Sequence, residues 1–263
     1  MPELDVDAGW ATDIAVHELS GATVEDRGDH LVVRSPLNPR YHWGNCILVR
    51  EVDAADDADR WVGVFQETFP SADWIAVGLR RMPADVAPWG AHGAELEAID
   101  VLTTSELPRQ VAPPEGYEVR RLIADEWEQT IRLAVDENAR TGSFPPESYE
   151  SFSRVRAERS RALCDREDDV AAFFGAFADG VLAAQLGIVR CGSLARYQSV
   201  LTDAEHRRRG LATHLVGVAA SWAADRGCTR WVIVTETTNP ALAVYRGVGF
   251  EPDGVNVQAY RRP

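Results

Sequence analysis

The sequence predicts a mixed α/β protein built from two units, on three observations. Apolar segments of strand length alternate with amphipathic segments of helix length along all 263 residues. A Pro-rich stretch, LPRQVAPPEGYEV at 107–119, interrupts them near the middle. Charge is shared unequally across it: residues 1–114 hold 20 acidic residues and 8 arginines, and residues 115–263 hold 21 and 19. Together these place a boundary near residue 112, with an N-terminal α/β domain over 1–111 and a second domain over 112–263.

In the N-terminal half, LVVRSP (31–36) and NCILVRE (45–51) read as strands, with a Pro-containing loop between them that carries Tyr41, His42 and Trp43. That loop reads better as an aromatic plug than as a pocket. Residues 53–70 have Trp61, Val64, Phe65 and Phe69 at helical spacing behind an acidic start, which predicts a helix. WIAVGLR (74–80) and LEAIDVLTT (96–104) follow as strands. Neither a phosphate loop nor a nucleophile constellation occurs in this half.

The C-terminal half begins with an alternating strand at 117–123. Two helices follow, 124–140 and 148–167, broken by TGSFPPE. Residues 170–203 read as buried strands, with a hairpin turn at Asp179-Gly180. Residues 210–228 form an amphipathic helix with Leu211, Leu215, Val218 and Trp222 on one stripe and Gly227 as its C-cap. A β-branched strand occupies 229–236. A short helix over 239–250 starts at the Asn239 N-cap with Pro240 next, and a last strand closes the chain.

Composition excludes several functions. The chain has 41 acidic residues against 27 arginines and contains no lysine, so it has no Schiff-base lysine and no Walker-type phosphate lysine. A net charge of −14 disfavours nucleic acid as a partner. No apolar run reaches membrane-spanning length, and MPELDVDAGW lacks the apolar core of a secretory signal, so a cytoplasmic protein is expected. Cys46, Cys164, Cys191 and Cys228 show no CxxC or Cys/His ligand spacing; free, mostly buried thiols and no metal site are expected.

The chemistry concentrates in DAEHRRRGLAT, 203–213, where a strand turns into a helix. The first helical N–H groups lack intrahelical partners, and the helix dipole favours an anion. Gly210 permits close backbone approach, Ala212 is too small to obstruct it, and the Thr213 hydroxyl can donate to a phosphate oxygen. Arg207, Arg208 and Arg209 at a helix N-terminus are awkward unless an anion sits there.

These residues resemble the R/Q-x-x-G-x-G/A signature of the GCN5-related N-acetyltransferases. A second block, Asn239-Pro240-Ala241-x-x-x-Tyr245-x-x-x-Gly249-Phe250, is similar to that family's N-x-x-A-x-x-x-Y-x-x-x-G-F segment. The resemblance covers about 115–263. It implies a mostly antiparallel central sheet flanked by helices, and acetyl-CoA held between the fourth and fifth strands, here Arg196–Leu201 and Arg230–Glu236. It also implies pantetheine contacts from Val200, Leu201, Thr202, Asn239 and Ala241, and pyrophosphate contacts from Arg207 through Gly210, Leu211, Ala212 and Thr213. The Val200 N–H would stabilise the oxyanion, and Tyr245 would protonate the leaving thiolate. The acceptor would be a primary amine of a small molecule or peptide. The family's fourth-strand Glu is missing; Tyr197 and Gln198 stand there instead, and Glu236, Glu205 and Glu137 are the open candidates for a base. The N-terminal half is open to two readings. One is a degenerate copy of the same fold. The other is a partner-binding or dimerisation domain touching through Tyr41–Trp43.

Overall fold

The computed structural model describes residues 6–263. Residues 1–5, half of the segment read above against a secretory signal, lie outside the described residues.

The chain divides into two compact units. The first holds the residues through Leu102 with Val234–Asn239 and Pro252–Pro263; the second holds Thr103–Ile233 and Pro240–Glu251. This division differs from a cut near residue 112, because the Pro-rich stretch is bonded into the second unit. Arg109 N–H donates to the Val248 carbonyl at 2.9 Å, and His214 Nδ1 meets the Val111 carbonyl at 2.9 Å. A carbonyl only accepts, so Nδ1 carries the proton. The Gln110 side chain lies so close to Gly217 that a Cβ there would sit 2.9 Å from its Oε1.

In chain order the elements begin with α1 (Ala8–Leu19), β1 (Thr23–Asp26), β2 (His30–Arg34), β3 (Cys46–Val49) and α2 (Ala58–Thr68). Next come β4 (Ile75–Leu79), α3 (Ala87–Ala91) and β5 (Glu95–Thr104). Then follow β6 (Glu118–Arg121), α4 (Trp127–Thr141), α5 (Pro146–Cys164), β7 (Ala171–Ala178), β8 (Val181–Cys191) and β9 (Leu194–Thr202). The last are α6 (Leu211–Ala224), β10 (Arg230–Glu236), α7 (Leu242–Gly247) and β11 (Glu251–Arg261).

Helix α1 and strand β1 have no counterpart in the sequence reading. Asp7 starts α1 by accepting the Trp10 N–H at 3.1 Å, but its apolar periodicity is weak. β1 is four residues long and mostly exposed, so it shows no buried alternation. The first unit orders its strands β1-β2-β3-β4-β11-β5. There β3 and β4 pair parallel, with Ile47 opposite Val77. Trp61 and Phe65 of α2 are fully buried with Trp89, Leu31 and Ile47. The aromatic loop is a plug, as read. His42 stacks on Trp74 with centroids 4.4 Å apart, and its Nδ1 lies 2.5 Å from the Tyr260 hydroxyl.

The second unit orders its strands β6-β7-β8-β9-β10, so β9 and β10 are its fourth and fifth. The first four pair antiparallel, and β9 and β10 pair parallel. The β7–β8 hairpin turns at Asp179 and Gly180, with φ of 49° and 80°. That is the left-handed pair a tight two-residue turn requires. On one face Trp127 and Ile131 of α4 pack with Ala157 of α5 and Phe173 of β7. Helix α6 is pinned to the sheet by the Tyr197 hydroxyl, which donates to the Val216 carbonyl at 2.9 Å. Two helix boundaries depart from the sequence reading. α6 ends at Ala224, before Gly227, and α7 starts at Leu242 with Ala241 as its cap residue, so Asn239 and Pro240 belong to the preceding turn.

Candidate active site

Strands β9 and β10 start side by side and then stop pairing. Their register runs Arg230–Leu194, Trp231–Ala195 and Val232–Arg196, and ends there. β9 continues for six more residues, Tyr197–Thr202, and Gln198 through Thr202 are half-buried although they lie in an interior strand. Val200, Leu201 and Thr202 therefore present backbone on the side where β10 no longer pairs.

Past Thr202 the chain makes a 3₁₀ turn at Ala204–His206 and enters α6 through Gly210, whose φ of 82° is left-handed. A Cβ at Gly210 would meet only Pro114, at 4.0 Å, so the backbone conformation and not crowding selects glycine. The first turn of α6 holds no acidic residue, and no side chain caps it. The intrahelical ladder begins with His214 N–H to Gly210 O at 3.0 Å. The amides of Leu211, Ala212 and Thr213 precede it and face the helix end, where an anion gains from both the N–H groups and the dipole.

The three arginines divide their work. Arg207 Nε donates to the Thr202 carbonyl at 3.1 Å, and its Nη2 pairs with Glu137 at 2.6 Å. Arg209 donates to the Tyr117 hydroxyl at 3.2 Å and to the Glu205 carbonyl at 3.0 Å. Arg208 is exposed at a φ of 59°. Two of the three thus have partners within the protein, so their place at the helix entry does not require a bound anion. His206 is half-buried, with its Nδ1 2.8 Å from the Tyr117 hydroxyl.

Tyr245 sits on α7 with 4% of its surface exposed. Its N–H bonds to the Ala241 carbonyl at 3.1 Å, and its carbonyl receives the Phe250 N–H at 3.1 Å. Burial pushes its phenol up to about 12. Asn239 falls in the first unit and donates its N–H to the Glu236 carbonyl at 2.9 Å, while Ala241 falls in the second. Tyr197 is 3% exposed and committed to Val216, so it is a structural group and not a substrate contact. Among the candidate bases, Glu137 is held at about 2 by Arg140, against an opposing desolvation, with Arg207 adding to the effect. A carboxylate so acidic is a poor proton acceptor near neutral pH. Glu137 and Tyr117 instead tie the loop before α6 to α4 and to the start of β6; only long-range proximity reveals those links.

Among the described residues, no three His, Cys, Asp or Glu side chains gather to hold a metal, and no helix is long and apolar enough to cross a membrane. None of the four cysteines forms a disulfide; Cys46 and Cys228 are buried and the other two half-buried. Burial pushes the Cys46 thiol far up and that of Cys164 to about 12.

A parallel strand pair that opens beside an uncapped helix start is the arrangement of the GNAT fold, and comparison with known proteins gives the same class. Residues 126–250 match the Acetyltransferase (GNAT) family. Streptothricin acetyltransferase from Escherichia coli is 29% identical over 99 residues, which are 37% of this chain and 57% of that protein. The match thus spans little more than half of that relative. A GCN5-related N-acetyltransferase from Kribbella flavida shares the fold with a TM-score of 0.67 at 16% identity, covering 96% of both chains. A tandem GNAT protein from the clavulanic acid biosynthesis pathway has a TM-score of 0.56 at 17% identity, covering 96% of this chain and 93% of that one.

Proposed function

We propose that this chain moves an acetyl group from acetyl-CoA directly to a primary amine of a small molecule or peptide. The observation that carries the reading is the start of α6: three amides open at a glycine-capped helix end, directly after the strand that outruns its parallel partner. Those amides, with Gly210 and Arg208, take the pyrophosphate. Backbone groups of Val200, Leu201 and Thr202 line the pantetheine arm, and Asn239 and Ala241 are further proposed contacts. The amine nitrogen attacks the thioester carbonyl, and the Val200 N–H meets the oxygen as it gains charge. The carbon–sulfur bond then breaks, the Tyr245 phenol protonates the departing thiolate, and the proton released by the acylated nitrogen passes to solvent, which restores the phenol. No covalent enzyme intermediate forms, so no nucleophilic side chain is needed.

We further propose that residues 1–111 descend from a copy of the same fold, supported by a second strand, 3₁₀ turn, helix and parallel strand over Cys46–Leu79. The relative from Escherichia coli makes streptothricin the first acceptor to try, followed by polyamines and α-amino peptides. The test is acetyl-CoA consumption against this panel. Turnover with an amine that falls sharply in Tyr245→Phe supports the reading. Acetyl-CoA binding with no acetyl loss to any amine supports a CoA-binding regulatory module instead, which the missing strand carboxylate and the strongly acidic Glu137 favour.

A further inference from the structure

β8 and β9 fall out of step at one place. Gln185 faces Leu201 and Gly187 faces Gln198, so one β8 residue, Leu186, opposes two on β9, Ser199 and Val200. Ser199 takes a φ of 50°, a left-handed conformation that a non-glycine residue adopts only when its surroundings hold it there. Such a bulge takes its extra residue out of the ladder and re-aims the backbone.

One side chain beside that irregularity is out of character with its surroundings. Gln185 is 3% exposed. Across the sheet it lies level with Gly175 of β7, two pairs along from Phe173–Gly187 and so on the same face, where Phe173 packs with Trp127 and Ile131. A leucine would fill that place without any polar atom to desolvate. Instead the carboxamide Nε2 reaches the Ser199 carbonyl at 3.5 Å, and Oε1 is buried with no partner among the described residues. A buried carboxamide oxygen without a partner calls for an explanation, and the hydrogen bond its Nε2 makes lies at the bulge.

We propose that Gln185 is a positioning residue for acyl transfer: its carboxamide holds the Ser199 carbonyl, and so fixes the bulge from which the Val200 N–H meets the thioester oxygen. This rests on the acetyl-transfer reading above. Gln185 touches no reacting atom; it acts through the Ser199–Val200 peptide.

The test uses the whole chain with acetyl-CoA alone, reading thiol release as water attacks the thioester, acetyl-CoA affinity by calorimetry, and amide hydrogen exchange over 198–202. Gln185→Leu keeps the volume and removes the donor. It is expected to lower the rate at saturating acetyl-CoA by at least about tenfold, leave the dissociation constant within about twofold, and speed exchange at 199–201. Gln185→Glu can donate to Ser199 only when protonated, and burial raises its carboxyl pKa. Its rate relative to the unaltered protein is therefore expected to rise as pH falls from about 8 to about 5.5. Unchanged turnover in Gln185→Leu, a loss that appears only as weaker acetyl-CoA binding, or a pH-independent rate ratio in Gln185→Glu would each overturn the proposal. Should Gln185→Leu not fold, the Gln185→Glu ratio decides. If the unaltered protein binds acetyl-CoA and cleaves it neither with water nor with any amine of the panel, acetyl transfer fails as a reading, and exchange at 199–201 still tests the bulge; unchanged exchange there overturns the role of Gln185.

Discussion

The first unit runs from β3 through a 3₁₀ turn at Val52–Asp56 into α2 and returns on β4, parallel to β3. The second runs from β9 through a 3₁₀ turn at Ala204–His206 into α6 and returns on β10, parallel to β9. The backbone plan is shared; the chemistry of the two helix starts is opposite. α2 is capped by Asp57, whose carboxylate accepts the Arg60 N–H at 3.2 Å, and Asp59 lies in its first turn. Asp56 before it binds Arg81 and accepts the Ala84 N–H at 2.6 Å. That helix end already holds its own anions. α6 begins at a glycine with no side-chain cap and no acid in its first turn. The short helices that follow differ in the same sense. α7 carries Tyr245, while α3 carries Trp89, whose ring N–H is bonded to the Ala55 carbonyl at 3.0 Å. One plan thus yields a helix end that carries its own carboxylates and another that leaves its first amides uncapped, and a handful of residues decides which.

Several substitutions test that contrast. The largest effect is expected from Tyr245→Phe, which keeps the buried ring and removes the proton. The rate of acetyl transfer should fall by about a hundredfold or more, with acetyl-CoA affinity nearly unchanged. An undiminished rate in steady-state kinetics would remove Tyr245 from the mechanism. Next comes Gly210→Asp, which forces a side chain onto a left-handed residue and offers the α6 amides an internal carboxylate. The dissociation constant for acetyl-CoA should rise by about a hundredfold, the loss of one or two charge-assisted hydrogen bonds.

The pH profile provides a third check. The Tyr245 phenol, at about 12 when folded, lies above its ordinary value near 10. The folded state therefore binds this proton more tightly than the unfolded chain does. Its contribution to stability is complete below about pH 10 and is lost as pH climbs through about 12. The phenol stays a proton donor across the neutral range, and turnover under saturating substrates should show no alkaline fall below about pH 10. A fall near pH 8 would assign the proton to another group. The smallest effect is on the first unit. Asp57→Ala should lower the unfolding free energy by about 1 kcal/mol in denaturant titration and leave acetyl-CoA affinity as it was.

Much of this was legible in the residues themselves. The hairpin at Asp179-Gly180 and the arginine–glycine turn before α6 are local signals, set by backbone conformation and dipole within a few residues. α1 was not legible because its apolar positions lack a clean helical period, and β1 because four exposed residues give no alternation. The partners of the arginines were hidden for another reason: Glu137 is 70 positions from Arg207 and Tyr117 is 92 from Arg209. The bulge at Ser199 was hidden as well, since it arises from the register between two strands and no single residue announces it.

The most direct test of the central contrast is calorimetric titration of the whole chain with acetyl-CoA, alongside Gly210→Asp and Asp57→Ala. The account predicts one site per chain, lost or weakened about a hundredfold in Gly210→Asp and retained in Asp57→Ala. Two sites per chain, or affinity unmoved by Gly210→Asp, would contradict it.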